Sequence, residues 1–114
     1  MTDDAALGPE DAKLVTLARG ARGRISAAQG AAVRDEMGRT YAGATVAKGT
    51  LALSALELAV AQAIAAGARS LECAVVCGEP GIDDRADAVR DLGGSGIPVI
   101  LVGPDGGIRD RVTT

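Results

Sequence analysis

The stretch Gly49–Pro80, GTLALSALELAVAQAIAAGARSLECAVVCGEP, decides how the rest of the chain is read. From about Leu51 to Ala66 it is apolar on almost every side, with Glu57 and Gln62 as its main interruptions, which predicts a helix buried on more than one face. After Gly67, LECAVVCG (Leu71–Gly78) is an apolar run of strand length. A passage from turn to buried helix to buried strand belongs to a helix-covered sheet. What stands at the tip of that helix then decides the chemistry.

Upstream, Pro9-Glu10-Asp11 opens a helix with Pro in the first turn and acids beside it. Leu14, Val15, Leu17 and Ala18 make its apolar stripe, which fades through Gly20 and Gly23 toward Ile25. In QGAAVRDEMGRTYAGATV (Gln29–Val46) the centre RDEMGR is a polar turn, with Gly38 where positive φ is cheap, and the flanks GAAV and TYAGATV form a hairpin. Downstream, GIDDRADAVRDLGG (Gly81–Gly94) reads as an amphipathic helix with Ile82, Ala86, Val89 and Leu92 on its apolar side. IPVILVGPDGGIRDRV (Ile97–Val112) gives a buried strand, a Gly-rich turn and a final edge strand ending at Val112. The predicted order is αββαβαββ, a mixed five-stranded sheet covered by helices in one domain spanning 1–114, with residues 1–8 flexible.

The chain has 114 residues, 47% apolar and 24% charged, and Tyr41 is its only aromatic residue. The core must therefore be filled by Ala, Val, Leu and Ile, so elements must approach closely. Stacking of bases on aromatic platforms is nearly excluded, and a net charge of −3 supplies no field for nucleic acid. The clustered Arg19, Arg22 and Arg24 are read as solvated charges favoured by the dipole at a helix end, in preference to a phosphate-binding patch. No basic start followed by an apolar run marks a signal peptide, and no apolar run is long enough to span a bilayer, so the expected location is cytoplasmic with no membrane partner. Cys73 and Cys77 then read as buried thiols, because residues four apart on a strand lie roughly 13 Å from each other, too far for a disulfide.

GAAVRDEMGRTYAGATV is similar to the hairpin of small cytidine deaminases, in which Gly-Ala-Ala leads to Asp-Gly and then to Tyr-x-Gly-x-Asn-Val. SALELAVAQAIAAG (Ser54–Gly67) sits where that family has Cys-Ala-Glu and an apolar helix ending in Gly, and PVILVGPDG (Pro98–Gly106) resembles its penultimate strand and turn. The resemblance covers roughly Leu14 to Val112. It implies a three-layer cytidine deaminase-like fold, a zinc ion held by three ligands and a Glu that shuttles protons between metal-activated water and the base.

Matched by Gly67, the chain has Ser54 at the first ligand position and Leu56 at the Glu position. Anchored on RADAVRDL, the two later Cys positions fall on Ile82 and Arg85, with Arg85 expected to lean outward or pair with Asp83 or Asp84. A neutral hydroxyl is a poor zinc ligand, leucine moves no protons, and the chain has no His. A slip of one residue would bring Glu57 to the Glu position, against the plainer reading of a carboxylate at the polar interruption of a helix. On the substrate side Ala27 stands where the family has its base-stacking aromatic residue, and Thr45 and Ala47 stand for the ribose-binding Asn and Glu. The segments GGSG and GPDGG are read as turns, Asp83-Asp84 as helix caps, and Ser54 lacks any His base for nucleophilic work.

The resulting expectation is a degenerate member of this family without cofactor, acting in structure or in binding an unidentified protein partner. The alternatives are a zinc-dependent nucleoside deaminase with an unrecognised site and a metal-free nucleoside-binding protein. A homodimer or homotetramer is expected, because Leu51, Leu53, Leu56, Leu58, Val60 and Ile64 spread around the 51–66 cylinder and a two-fold contact would bring Ala61 and Ala65 near their mates.

Overall fold

The structure, a computed structural model, describes residues 7–79 and 86–114. Its elements are α1 (Pro9–Ile25), β1 (Gln29–Asp35), β2 (Thr40–Ala44), β3 (Val46–Lys48), β4 (Leu51–Leu53), α2 (Ala55–Ala65), β5 (Leu71–Gly78), α3 (Asp87–Gly93), β6 (Pro98–Val102) and β7 (Ile108–Thr113). Five strands form one sheet in the order β2-β1-β5-β6-β7. β5 and β6 are parallel, and the other neighbouring pairs are antiparallel.

Three layers follow from the period-2 geometry of the strands. Ala31, Val33, Ala74, Val76, Val99 and Leu101 pack with Leu56, Ala59, Val60 and Ala63 of α2 and Val89 of α3. The intervening residues Ala32, Cys73, Val75, Cys77, Ile100 and Val102 pack with Leu14, Val15 and Ala18 of α1. Both faces of the central strands are therefore covered, which is why those strands are almost continuously apolar. Small side chains let the layers close. A Cβ at Gly30 would overlap the Ala18 carbonyl oxygen and lie 2.8 Å from Arg22 Cβ, so α1 can rest on β1 only where β1 has no side chain.

The polar turn RDEMGR ties one end of the sheet together. The Asp35 carboxylate is 0% exposed, yet every approach to it ends in a donor: the Met37 and Arg39 amides at 2.9 Å, Arg39 Nε at 2.8 Å and Tyr41 Oη at 2.9 Å. Arg34 bridges Asp11 of α1 at 2.9 Å and Glu72 of β5 at 2.8 Å. The Glu36 carboxylate accepts from the Arg69 and Ser70 amides ahead of β5. Burial opposes the charge on Asp35, but the bonds from Tyr41, the two amides and the guanidinium outweigh it and hold the carboxyl below its usual range. Bonds from its own amide and from those of Arg69 and Ser70 do the same for Glu36.

Three helices and a mixed five-stranded sheet match the expected architecture, with two corrections in detail. The helix expected from about Leu51 begins at Ala55. Leu51–Leu53 is instead a strand, paired antiparallel with Val46–Lys48, and Gly49 at φ 62° makes the tight turn between them. Leu51 and Leu53 therefore lie on a separate hairpin and not on the helix cylinder. The reason is a stop signal at Ser54, whose extended backbone and side-chain cap start the helix one residue later. α1 also runs further than its apolar stripe, through both glycines to Ile25, and ends where Ser26 turns left-handed at φ 52°. Of the apolar side expected for the helix before Gly94, Val89 is buried and Ala86 and Leu92 are half-buried, while Ile82 lies outside the described residues. No described helix is long and apolar enough to cross a membrane.

Gly30→Ala is expected to cost at least about 2 kcal/mol, measured by urea unfolding, because the added methyl meets helix backbone that cannot step aside. The depressed carboxyls stabilise the fold fully above the ordinary carboxylate range, and that contribution is lost as pH falls through their lower folded-state values. The urea midpoint should therefore drop on acidification below about pH 4. Asp35→Asn should weaken the protein at pH 7 by roughly 2 kcal/mol and flatten this acid limb.

Candidate functional site

One end of the molecule gathers the start of β1, the end of β5 and the start of α2. Gln29 pairs with Gly78, and the Glu79 amide donates to the Ala28 carbonyl at 3.5 Å. Thr45 closes the same end: its amide and hydroxyl donate to the Gln29 carbonyl at 3.1 and 3.3 Å, and its Oγ1 accepts from the Gln29 amide at 3.1 Å. Ala27 lies half-buried in the connection that precedes this knot. The β3–β4 hairpin then returns the chain, pairing Val46 with Leu53, so Ser54 is delivered beside the segment that Thr45 opens. The structure thus brings Ala27, Thr45 and Ser54 to one end. Ala47, opposite Ala52 on the hairpin, is exposed.

At the tip of α2 the side chains are engaged with one another. Ser54 Oγ accepts from the Glu57 amide at 2.9 Å, and the Glu57 carboxylate accepts from the Ser54 amide at 2.8 Å, a complete capping box. This fixes the helix register: Ser54 is the cap, Leu56 the second helical residue and Glu57 the third. Leu56 is 1% exposed and belongs to the core between α2 and the sheet. Glu57, which a one-residue slip would have made the proton carrier, has its carboxylate turned back onto the cap. Its sequence signal was Ser-x-x-Glu itself, hidden by a helix start placed about four residues too early. Ile82 and Arg85, with the acids Asp83 and Asp84, lie outside the described residues.

The two thiols lie on the other side of the sheet. Cys73 and Cys77 are buried in the cluster under α1, whereas Leu56 is in the cluster under α2. Burial and then the nearby Asp11 push Cys73 up to about 12. Burial also raises Cys77, whose Sγ lies 3.3 Å from the Gly103 carbonyl and donates to it. Zinc would require thiolate, imidazole or carboxylate ligands converging within about 2.0–2.3 Å of one point. The chain has no His, its thiols face away, and the helix tip offers a capped hydroxyl, a core leucine and one engaged carboxylate. Among the described residues no three such groups converge, so the described donor set does not fit the ion.

A model of the family described as "Cytidine deaminase-like" matches residues 7–106. The crystal structure of cytidine deaminase from Burkholderia pseudomallei superposes with a TM-score of 0.74 at 25% identity, covering 99% of this chain and 93% of that one. Cytidine deaminase from Mycobacterium leprae superposes with a TM-score of 0.65 at 19% identity, covering 85% and 89%, which speaks for the fold alone. No curated protein sequence matches. A family match over nearly the whole chain, on a sheet covered by helices in the matching order, makes this chain a member of the cytidine deaminase-like family.

Proposed function

We propose that the chain is a degenerate family member that keeps the scaffold without the zinc chemistry and serves a structural or partner-binding role in the cytoplasm. The observation that carries this reading is the helix tip. Ser54 and Leu56 occupy the positions that the resemblance assigns to a metal ligand and a proton carrier, and they are used as a helix cap and a core residue. Ala27, Thr45 and Ala47 replace the aromatic, amide and carboxylate groups that the resemblance assigns to base and sugar. Thr45 spends its hydroxyl on the Gln29 backbone, and Ala27 and Ala47 have no polar group to offer a ligand.

Self-association is part of the proposal. α2 buries Ala55, Leu56, Ala59, Val60 and Ala63, and turns Ala61, Ile64 and Ala65 outward. Ile64 is 54% exposed, and the small alanines on either side of it allow a second helix to approach closely. The outward strip is narrower than a helix starting at Leu51 would present, because Leu51 and Leu53 lie on the hairpin.

Purified protein is expected to contain far less than one zinc per chain by elemental analysis and to show no deamination of cytidine. Near-stoichiometric zinc accompanied by turnover would establish the active deaminase instead. In the same preparation Ser54→Ala should cost about 1 kcal/mol of stability as a lost cap and leave the metal content unchanged.

Light scattering should report a dimer or tetramer at micromolar concentration, and Ala61→Glu should convert it to monomer by placing an unpaired charge in the contact. A wild-type monomer would remove self-association from the proposal.

A further inference from the structure

Three arginines from two distant parts of the sequence are anchored near the end of the sheet where β5 finishes. Arg19 and Arg22 stand one turn apart on α1, and Arg109 is near the start of β7. Each is anchored to a main-chain carbonyl: Arg19 Nε to Pro104 at 3.3 Å, Arg22 Nε to Ala28 at 3.3 Å and Arg109 Nη2 to Gly78 at 3.5 Å. The Arg19 side chain lies across Gly106, where a Cβ would come within 3.1 Å of its Cδ and 3.3 Å of its Nη1. The three anchoring carbonyls lie on neighbouring segments: Ala28 accepts from the Glu79 amide beside Gly78, and Cys77, next to Gly78, donates to Gly103 beside Pro104.

Helix-end solvation explains Arg24, which is exposed and makes no such bond among the described residues, but not these three. A guanidinium has five N–H donors, and one carbonyl bond fixes its plane while leaving most of the fork available. For Arg19 and Arg22 the anchored atom is Nε, so the terminal nitrogens remain. Among the described residues, two acids are close. Glu79 lies 3.8 Å from Arg22 Nη2 at an exposed position, and Asp105 Oδ1 accepts from the Gly107 amide at 2.9 Å within its own turn. Among the described residues, three anchored cations against two acids leave a local positive excess on a chain whose net charge is −3. Guanidinium forks supplied from two elements, α1 and β7, suit an oxyanion with several acceptor oxygens, such as phosphate.

We infer that Arg19, Arg22 and Arg109 form a binding site for a phosphate group, either free or carried as a monoester by a small molecule. Two of its arginines stand on α1, which covers the thiol layer, whereas the tip of α2 covers the opposite layer, and the site does not depend on whether the family chemistry survives. Arg109 completes it from a position 87 residues beyond Arg22, which is why the arginines of α1 alone do not reveal it.

The test is a titration of the full chain with inorganic phosphate and, separately, ribose 5-phosphate, followed by the Nε–H resonances of arginine at ionic strength held constant with chloride. Saturable shifts are expected at Arg19, Arg22 and Arg109 and not at Arg24. Arg109→Gln, at an exposed edge position, should weaken binding about tenfold or more without altering the circular dichroism spectrum, as loss of one charge-assisted contact predicts. Should Arg22→Gln fail to fold, Arg109→Gln carries the test by itself. Equal affinity for both probes identifies free phosphate as the ligand, and tighter binding of the ester identifies a phosphomonoester. A linear response shared with chloride, or full affinity retained in Arg109→Gln, overturns the proposal.

Discussion

The fold depends on one constraint: the central strands are covered by helices on both faces, with side chains small enough for backbone to approach backbone. β1 supplies Gly30 where α1 crosses it, and Ala31 and Ala32 to the two faces in turn. Every second residue of β5 is thereby assigned to a layer. Ala74 and Val76 support α2, and Cys73, Val75 and Cys77 support α1. The alternation that builds the core also keeps the chain's two thiols in the layer opposite the helix tip where the family's chemistry would sit.

The two ends of the sheet are held in different ways. At the RDEMGR end, consecutive residues face different neighbours: Arg34 reaches α1 and β5, Asp35 collects donors from its own hairpin, and Glu36 holds the entry to β5. A buried carboxylate is tolerated there because its oxygens are fully supplied. At the other end the polar groups are mostly backbone, linked through Thr45 and Gln29, with the Ser54–Glu57 cap beside them. That end belongs to the site in the family, and in this chain its described polar side chains are occupied in holding the fold.

Membership in the cytidine deaminase-like family and the proposed loss of its chemistry are compatible, because scaffold and site draw on different residues. The scaffold needs Gly30, the small central residues and a capped α2. The site needs a few ligands at helix tips, and replacing Leu56's counterpart or Ser54's counterpart changes chemistry without changing the layers. The arginine cluster uses the same independence in reverse, placing two of its charged groups on α1, over the face that the family site does not use.

Outside the Val46–Leu53 segment, the sequence by itself determined the element types, the mixed sheet, the small-residue core and the absence of His, because these rest on periodicity and composition that need no partner. It also carried Ser-x-x-Glu at residues 54–57, a local signal strong enough to set the true start of α2. The hairpin between Val46 and Leu53 was obscured because the Leu51–Leu53 run fits a helix as well as a strand until it is paired. Only the tertiary structure decided which layer the thiols enter, which donors surround Asp35 and that Arg109 joins Arg19 and Arg22. Each of these is fixed by contacts between residues far apart in the chain, and no local pattern encodes which distant neighbour will arrive.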